Sequence, residues 1–140
     1  MTVPTIYLEP NIEAEISSAL RASSLVSAAL DDRVYTVLPA GVTFPAARIV
    51  LIGDVKVTRR PLWIYRAAVQ IDVWGGSKIE AWDGVAAIQA ALAELEGTTG
   101  STLHYGAVDV ASLADTPDPD FTPAKPRFML SAEITFHPRP

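Results

Sequence analysis

The sequence predicts a single α+β domain in which helices pack on one face of a mixed, mostly antiparallel sheet. Apolar residues recur at helical spacing in two segments, residues 12–30 and 78–95. Elsewhere they alternate with polar residues or form short apolar runs, and these strand-like segments outnumber the helices. The length of 140 residues is that of one domain. Because the repeated helix–strand units of a doubly wound sheet are missing, antiparallel pairing is favoured.

The first helical segment is predicted to begin after Asn11, whose side chain is suited to accept a backbone N–H bond at a helix start. Residues 1–10 then form an N-terminal arm. Ser23 and Ser24 interrupt the helical pattern, so two consecutive helices are expected. Ser24 is predicted to cap the second one, which ends at the acidic pair that follows Leu30.

The strands are predicted from two kinds of pattern. Residues 47–52 form a continuous apolar run closed by a Gly-Asp pair, which is typical of a strand covered on both faces. Residues 127–136 alternate strictly, which indicates an antiparallel strand with one apolar face, formed by Phe128, Leu130, Ala132, Ile134 and Phe136. The predicted strands are residues 33–38, 47–52, 55–58 (a separate edge strand), 66–74, 102–110 and 127–136.

The helix over residues 78–95 has a start signal and a clear apolar stripe. Ser77 and Glu80 stand at the spacing of a capping box. The stripe predicted to face the core consists of Ala81, Val85, Ile88, Leu92 and Leu95. The other flank carries Trp82 and small residues. Between this helix and the final strand, residues 111–126 hold four prolines and three aspartates, and they are predicted to be a loop.

Composition argues against several classes of function. The net charge of −5 disfavours non-specific nucleic-acid binding, which requires a basic surface. The absence of cysteine excludes disulfides and thiolate metal sites. The longest uncharged stretch, residues 34–47, contains two prolines and a glycine and is too short to span a bilayer, so no membrane partner is expected. The N-terminus lacks the pattern of a secretory signal.

No catalytic or metal-binding constellation is evident. The two histidines, His104 and His137, are far apart in sequence and lack the spaced partners of a zinc site, so structural or surface roles are expected. No cofactor and no enzymatic activity are predicted. The alternative of a small ligand-binding domain would rest on His104, Tyr105 and Asp109, which is a thin set.

Candidate interface residues fall into three groups. A basic cluster stands just before and at the start of the predicted strand 66–74. One tryptophan lies within this cluster and another lies in the helix that follows the strand; tryptophan is enriched where the binding energy of interfaces concentrates. The proline-rich loop carries acidic residues that are suited to pair with the basic cluster of a neighbouring copy. The candidates are Arg59, Arg60 and Arg66, then Trp63 and Trp82, and then Asp115, Asp118 and Asp120.

The order of motifs resembles the tail terminator, or tail-completion, proteins of long-tailed bacteriophages. The matching segments are patterns of residue type, and they extend over residues 12–136. They are SSLVSAALDDRVYTVLP, FPAARIVLIGD, RAAVQIDVWGGS, EAWDGVAAIQAAL and RFMLSAEITF. The resemblance carries no catalytic residues to transfer and no cofactor.

The resemblance implies a structural virion protein at the head-proximal end of the tail. Family members form rings, usually homohexamers, that cap the tail tube, stop its polymerisation and join tail to head. The implied partners are further copies of the chain, the major tail tube protein and the head–tail connector or neck proteins. DNA is expected only to pass through the lumen, and the host cytoplasm is the expected place of assembly. Another neck or head-completion subunit remains the alternative.

Overall fold

The computed structural model describes residues 8–58 and 64–139. Over this part of the chain, three helices and five strands form a single mixed sheet with its helices against one face, which confirms the α+β class. The elements are α1 (Ile12–Ala22), α2 (Ser24–Leu30), β1 (Val34–Tyr35), β2 (Ala46–Thr58), β3 (Ile64–Trp74), α3 (Lys78–Leu95), β4 (Leu103–Asp115) and β5 (Arg127–Pro138). None of these described helices has both the length and the apolar character needed to cross a membrane.

The sheet has the strand order β1-β2-β3-β5-β4. Among the described strands, only the short β1 runs parallel to its neighbour; the other three pairings are antiparallel. In the central pair, Ile71 of β3 lies opposite Leu130 of β5, and both side chains point to the helices. The five β5 residues predicted to face inward are all buried. One apolar core therefore lies between the helices and the inner face of the sheet.

The helix starts follow the predicted capping chemistry with one change. Asn11 caps α1, since its side chain accepts a hydrogen bond from the Ala14 amide at 3.2 Å. Ser23, and not Ser24, caps α2 by accepting from the Val26 amide at 3.5 Å. A single residue separates the two helices, so the same serine ends α1 and begins α2.

Helix α3 begins at Ser77, whose side chain accepts from the Glu80 amide at 3.2 Å. Glu80 in turn accepts from the Gly76 amide at 3.1 Å, one residue earlier than in the standard capping box. Further along, Gly84 lets α3 approach both the sheet and α2. A Cβ atom there would lie 2.9 Å from Val73 Cγ1 and 3.0 Å from Leu30 Cδ2, so the position has no room for a side chain.

Three strand boundaries differ from the predictions. β2 does not end at Gly53 but continues to Thr58. The register of its pairing with β3 shifts by one residue between Leu51 and Gly53, and β3 is long enough to pair with β2 beyond this bulge. Residues 55–58 are therefore part of β2. The same strand is not covered on both faces throughout, since Ile52 is 62% exposed. β1 is confined to two residues, because it pairs with β2 only at Val34 and Tyr35.

β4 is longer than predicted and the loop after it is shorter. Residues 111–115 continue the strand, and Asp115 lies opposite Phe128. As an edge strand with few buried side chains, β4 shows too little alternation in its second half to be recognised from sequence. The connection to β5 is thus residues 116–126.

Candidate assembly surfaces

The segment 116–126 is fastened to the outer face of the sheet, the face opposite the helices. Trp74 Nε1 donates a hydrogen bond to Asp118 Oδ2 at 2.8 Å, and both residues are buried. Asp118 Oδ1 accepts from the Asp120 amide at 3.0 Å, and Arg127 Nη1 lies 3.6 Å from the carboxylate. Asp118 is therefore an internal anchor within the chain, while Asp120 remains exposed beside it.

The environment of Asp118 favours its charged form. Burial alone raises the pKa of this carboxyl, but the hydrogen bonds from Trp74 and the Asp120 amide, together with the charges of Arg127 and Arg48, outweigh it. The pKa of Asp118 is consequently below its ordinary value of 3.8. The aspartate thus holds the segment most firmly when it is ionised.

Aromatic and cation–π contacts also fix the segment 116–126 against the rest of the chain. The rings of Phe121 and Phe44 meet edge to face with centroids 5.7 Å apart. The Lys125 ammonium lies 4.4 Å from the Phe44 centroid and 5.2 Å from that of Phe121. The segment therefore packs against the connection between β1 and β2, and its shape is determined within one chain.

A buried ion pair lies beneath this segment on the outer face of the sheet. The alternation of apolar and polar residues in β3 did not predict that its acidic member would be buried. Asp72 is fully buried on the outer face, where it accepts from Arg48 at 2.7 Å and from Gln70 at 3.0 Å. The Arg48 guanidinium also stacks 5.4 Å from the ring centroid of Trp74. These contacts pair the buried carboxylate, which would otherwise be costly to desolvate.

Of the predicted basic cluster, only Arg66 belongs to the described residues. Its half-exposed side chain lies on the outer face, 3.9 Å from the exposed carboxylate of Glu133. Arg59, Arg60 and Trp63 fall in the connection between β2 and β3, outside the described residues. Their candidate interface roles stay predictions.

Exposed apolar side chains mark the end of β2 that leads into this connection. Ile52, Val55 and Val57 are each at least half exposed, the lowest value being 50% for Val57. We call these three residues the hairpin-end patch. Three large apolar residues are thus exposed within six positions of one strand, which marks this end of β2 as a candidate contact surface. The sequence analysis did not name them as interface candidates, because Ile52 ends an apolar run that is typical of burial, and Val55 and Val57 were assigned only to an edge strand.

A second exposed apolar surface lies at the start of α3 and contains two predicted interface residues. Trp82 packs edge to face on Phe128, with centroids 5.4 Å apart, and remains 48% exposed. Ile79, one turn earlier, is 74% exposed. Asp115 forms a 2.8 Å ion pair with Lys78 at the rim. These five residues line a groove of about 540 Å³, which we call the α3 groove.

The histidines meet across two strands. His104 lies opposite His137, with ring centroids 5.0 Å apart. Thr99 Oγ1 forms a hydrogen bond with His104 Nδ1 at 3.0 Å, and His137 Nδ1 donates one to the Pro138 carbonyl at 2.9 Å. In the described part of the chain, no group of three or more potential metal-ligating side chains occurs.

The set considered for a ligand pocket does not converge. Tyr105 is buried on the helix side, where burial and the charge of Glu15 raise its pKa to about 12. His104, its neighbour along β4, is only partly buried and points to the opposite face of the sheet. The sheet therefore separates Tyr105 from His104, whereas Asp109, which lies opposite Glu133, is on the same face as His104. The three side chains do not form one site.

Comparisons with known proteins agree with this architecture. The family model described as Tail completion protein gp17 matches residues 14–127, which extend from α1 to the start of β5. A solved structure titled "Virion of native gene transfer agent (GTA) particle" contains a chain with 16% sequence identity and a TM-score of 0.53; the match covers 91% of this chain and 92% of that one. At that identity the match shows the shared fold. None of the curated proteins matches. The chain belongs to the tail completion protein gp17 family and is a structural protein of a phage-type tail.

Proposed function

We propose that copies of this chain form a closed ring, of about six subunits, that caps the head-proximal end of the tail tube. The ring stops tube polymerisation and presents the surface to which the head is joined. The observation that carries the proposal is the family match, because it covers residues 14–127, from α1 to the start of β5, and not a local motif. No catalytic step or cofactor enters this function.

The exposed apolar surfaces of the chain are compatible with self-association into a ring. A ring needs two different patches on each subunit, so that the contact repeats head to tail and closes on itself. The hairpin-end patch and the α3 groove are two such exposed surfaces, and they do not overlap. Asp115 and Asp120 remain candidates for ionic contacts with the Arg59, Arg60 and Arg66 cluster of a neighbour. Asp118 contributes indirectly, because it holds the segment that carries Asp120.

The proposed partners follow from this position. The tail tube protein contacts one side of the ring, and the connector or neck proteins contact the other. DNA passes through the lumen without being bound, and the net charge of −5 suits such a passage because it repels phosphates. Assembly takes place in the host cytoplasm and the ring remains in the virion.

The test is to add the purified chain to growing tail tubes assembled from tube protein. Tube growth should stop once a fixed number of copies of this chain is bound to each tube, and that number should not depend on tube length. Electron microscopy should then show a ring at one tube end only. Binding along the tube sides, or continued growth with the chain bound, would contradict capping. Attachment to the connector without any effect on tube growth would indicate another neck subunit instead.

A further inference from the structure

Two histidine rings face each other on the outer face of the sheet, where β4 and β5 pair. The chain contains two histidines, and the strand register places His104 directly opposite His137. Leu103 and Tyr105, on either side of His104, are buried in the core, and so is Phe136 beside His137. The backbone beneath both rings is therefore firmly held. Sequence spacing gives no sign of this pair, because long-range strand register creates it.

One nitrogen of each ring is engaged within the chain, and the other is open to a ligand. His137 Nδ1 donates to the Pro138 carbonyl at 2.9 Å, so it carries the proton and Nε2 keeps its lone pair. The Thr99 hydroxyl lies 3.0 Å from His104 Nδ1 and can accept from it, which gives that ring the same tautomer. Within residues 8–58 and 64–139, neither Nε2 atom has a hydrogen-bond partner. Metal-bound histidines are usually oriented by such a bond from their other nitrogen.

The separation of the two rings suits one bound ion. A zinc–nitrogen bond measures about 2.0–2.1 Å, so two imidazoles on one ion at roughly 90–110° have centroids about 4.5–5.2 Å apart. The observed separation of 5.0 Å lies within that range. Imidazole nitrogen suits Zn²⁺, Cu²⁺ and Ni²⁺, whereas Mg²⁺ and Ca²⁺ prefer oxygen ligands. The chemistry of the pair therefore selects the first class of ion.

We propose that His104 and His137 chelate one divalent transition-metal ion of the class Cu²⁺, Ni²⁺ and Zn²⁺. Each residue contributes its Nε2 atom. No third described side chain of a ligating type joins them, so water fills the remaining positions. The bound ion links the edge strand β4 to β5 and stabilises the folded chain once its concentration exceeds the dissociation constant. This site goes beyond the proposed ring and does not depend on it.

The experiment measures Ni²⁺ binding to the untagged chain by isothermal titration calorimetry and by thermal melts, with Mg²⁺ as the control cation. The parent should bind one Ni²⁺ per chain. Saturating Ni²⁺ should raise the melting temperature by a few degrees, whereas Mg²⁺ should leave it unchanged. His104→Gln and His137→Gln each remove one ligand, so each should bind Ni²⁺ at least about tenfold more weakly. Melts in EDTA give the metal-free reference for every variant.

The single variants distinguish chelation from two separate rings. If the imidazoles bound independently, the parent would take up two ions and each single variant would keep one at the parental affinity. That result would overturn the proposal. A parent that responds equally to Mg²⁺, or that shows no response to Ni²⁺, would overturn it as well.

A measurement on the parent alone covers the case in which a variant fails to fold. One equivalent of Cu²⁺ should give an electron paramagnetic resonance spectrum with nitrogen couplings from two imidazoles. Coupling to a single imidazole, or to oxygen ligands alone, would contradict chelation. These outcomes leave tube capping standing, because the proposed function does not involve the histidines.

Discussion

The two faces of the sheet are held by different forces. On the helix side, apolar side chains such as Ile71, Leu92 and Leu130 are fully buried in one continuous core. On the outer face, a few directional contacts around Trp74 and Asp118 fasten the 116–126 segment. Apolar burial is proportional to area and depends little on orientation, whereas the outer contacts depend on single atoms and on ionisation. The difference predicts where mutations cost most and where pH matters.

The largest effect is expected on the helix side. Leu92→Ala should lower the free energy of unfolding by about 2–5 kcal/mol, because it leaves a cavity in a fully packed core. Ala90→Ser, on the exposed flank of the same helix, is the matched control and should cost much less. Chemical denaturation of both variants measures the contrast. Equal losses would mean that the two flanks of α3 do not differ as described.

A smaller effect is expected on the outer face. Asp118→Asn removes the charge that Trp74 and Arg127 contact, and it should cost about 1.5–3 kcal/mol. Asp120→Asn alters the neighbouring exposed aspartate and should be close to neutral. The comparison is made by denaturation followed through tryptophan fluorescence. A neutral Asp118→Asn variant would show that the segment is held by the Phe44, Phe121 and Lys125 contacts alone.

The same anchor should make stability depend on acid. The pKa of Asp118 is lowered in the folded chain, so its contribution is fully present above the ordinary value of 3.8 and is lost as pH falls through the folded pKa. The difference in unfolding free energy between the parent and Asp118→Asn should therefore shrink as the pH is lowered from about 5 to about 2. A constant difference over this range would contradict an ionic anchor.

The smallest effect on stability is expected from Glu9, at the end of the inner face that the helices do not cover. Its dependence on pH should have the opposite sign to that of Asp118. A hydrogen bond with Asp54, aided by burial and by the Asp54 charge, raises the pKa of Glu9 to about 7. Its contribution is fully present below the ordinary value of 4.5 and is lost as pH rises through 7. Glu9→Gln keeps the hydrogen bond and should flatten this slope in thermal melts between those values. An unchanged slope would place the proton elsewhere.

Local patterns were sufficient for most of the elements. Asn11 and Ser77 predicted helix starts because a side-chain oxygen satisfies a free backbone amide whatever the tertiary context. The alternation of β5 predicted its buried face because one side of an antiparallel strand must be apolar. Trp82 and Asp115 were predicted as interface residues, and the structure brings both to one groove. Their role in assembly stays a proposal.

The remaining features depend on long-range pairing that no local pattern contains. β2 passes through Gly53 only because β3 continues beside it, and β4 reaches Asp115 only because β5 lies opposite. Asp118 was predicted to be an interface residue in a loop, and its burial follows from Trp74, which is 44 positions away in the chain.

The sequence by itself thus determined the α+β class, the helix starts and the absence of familiar catalytic motifs, because these follow from spacing and composition. Only the tertiary structure decided which apolar residues stay outside the core. Whether Ile52 or Ile79 is buried depends on what packs above it, which is a property of the whole fold.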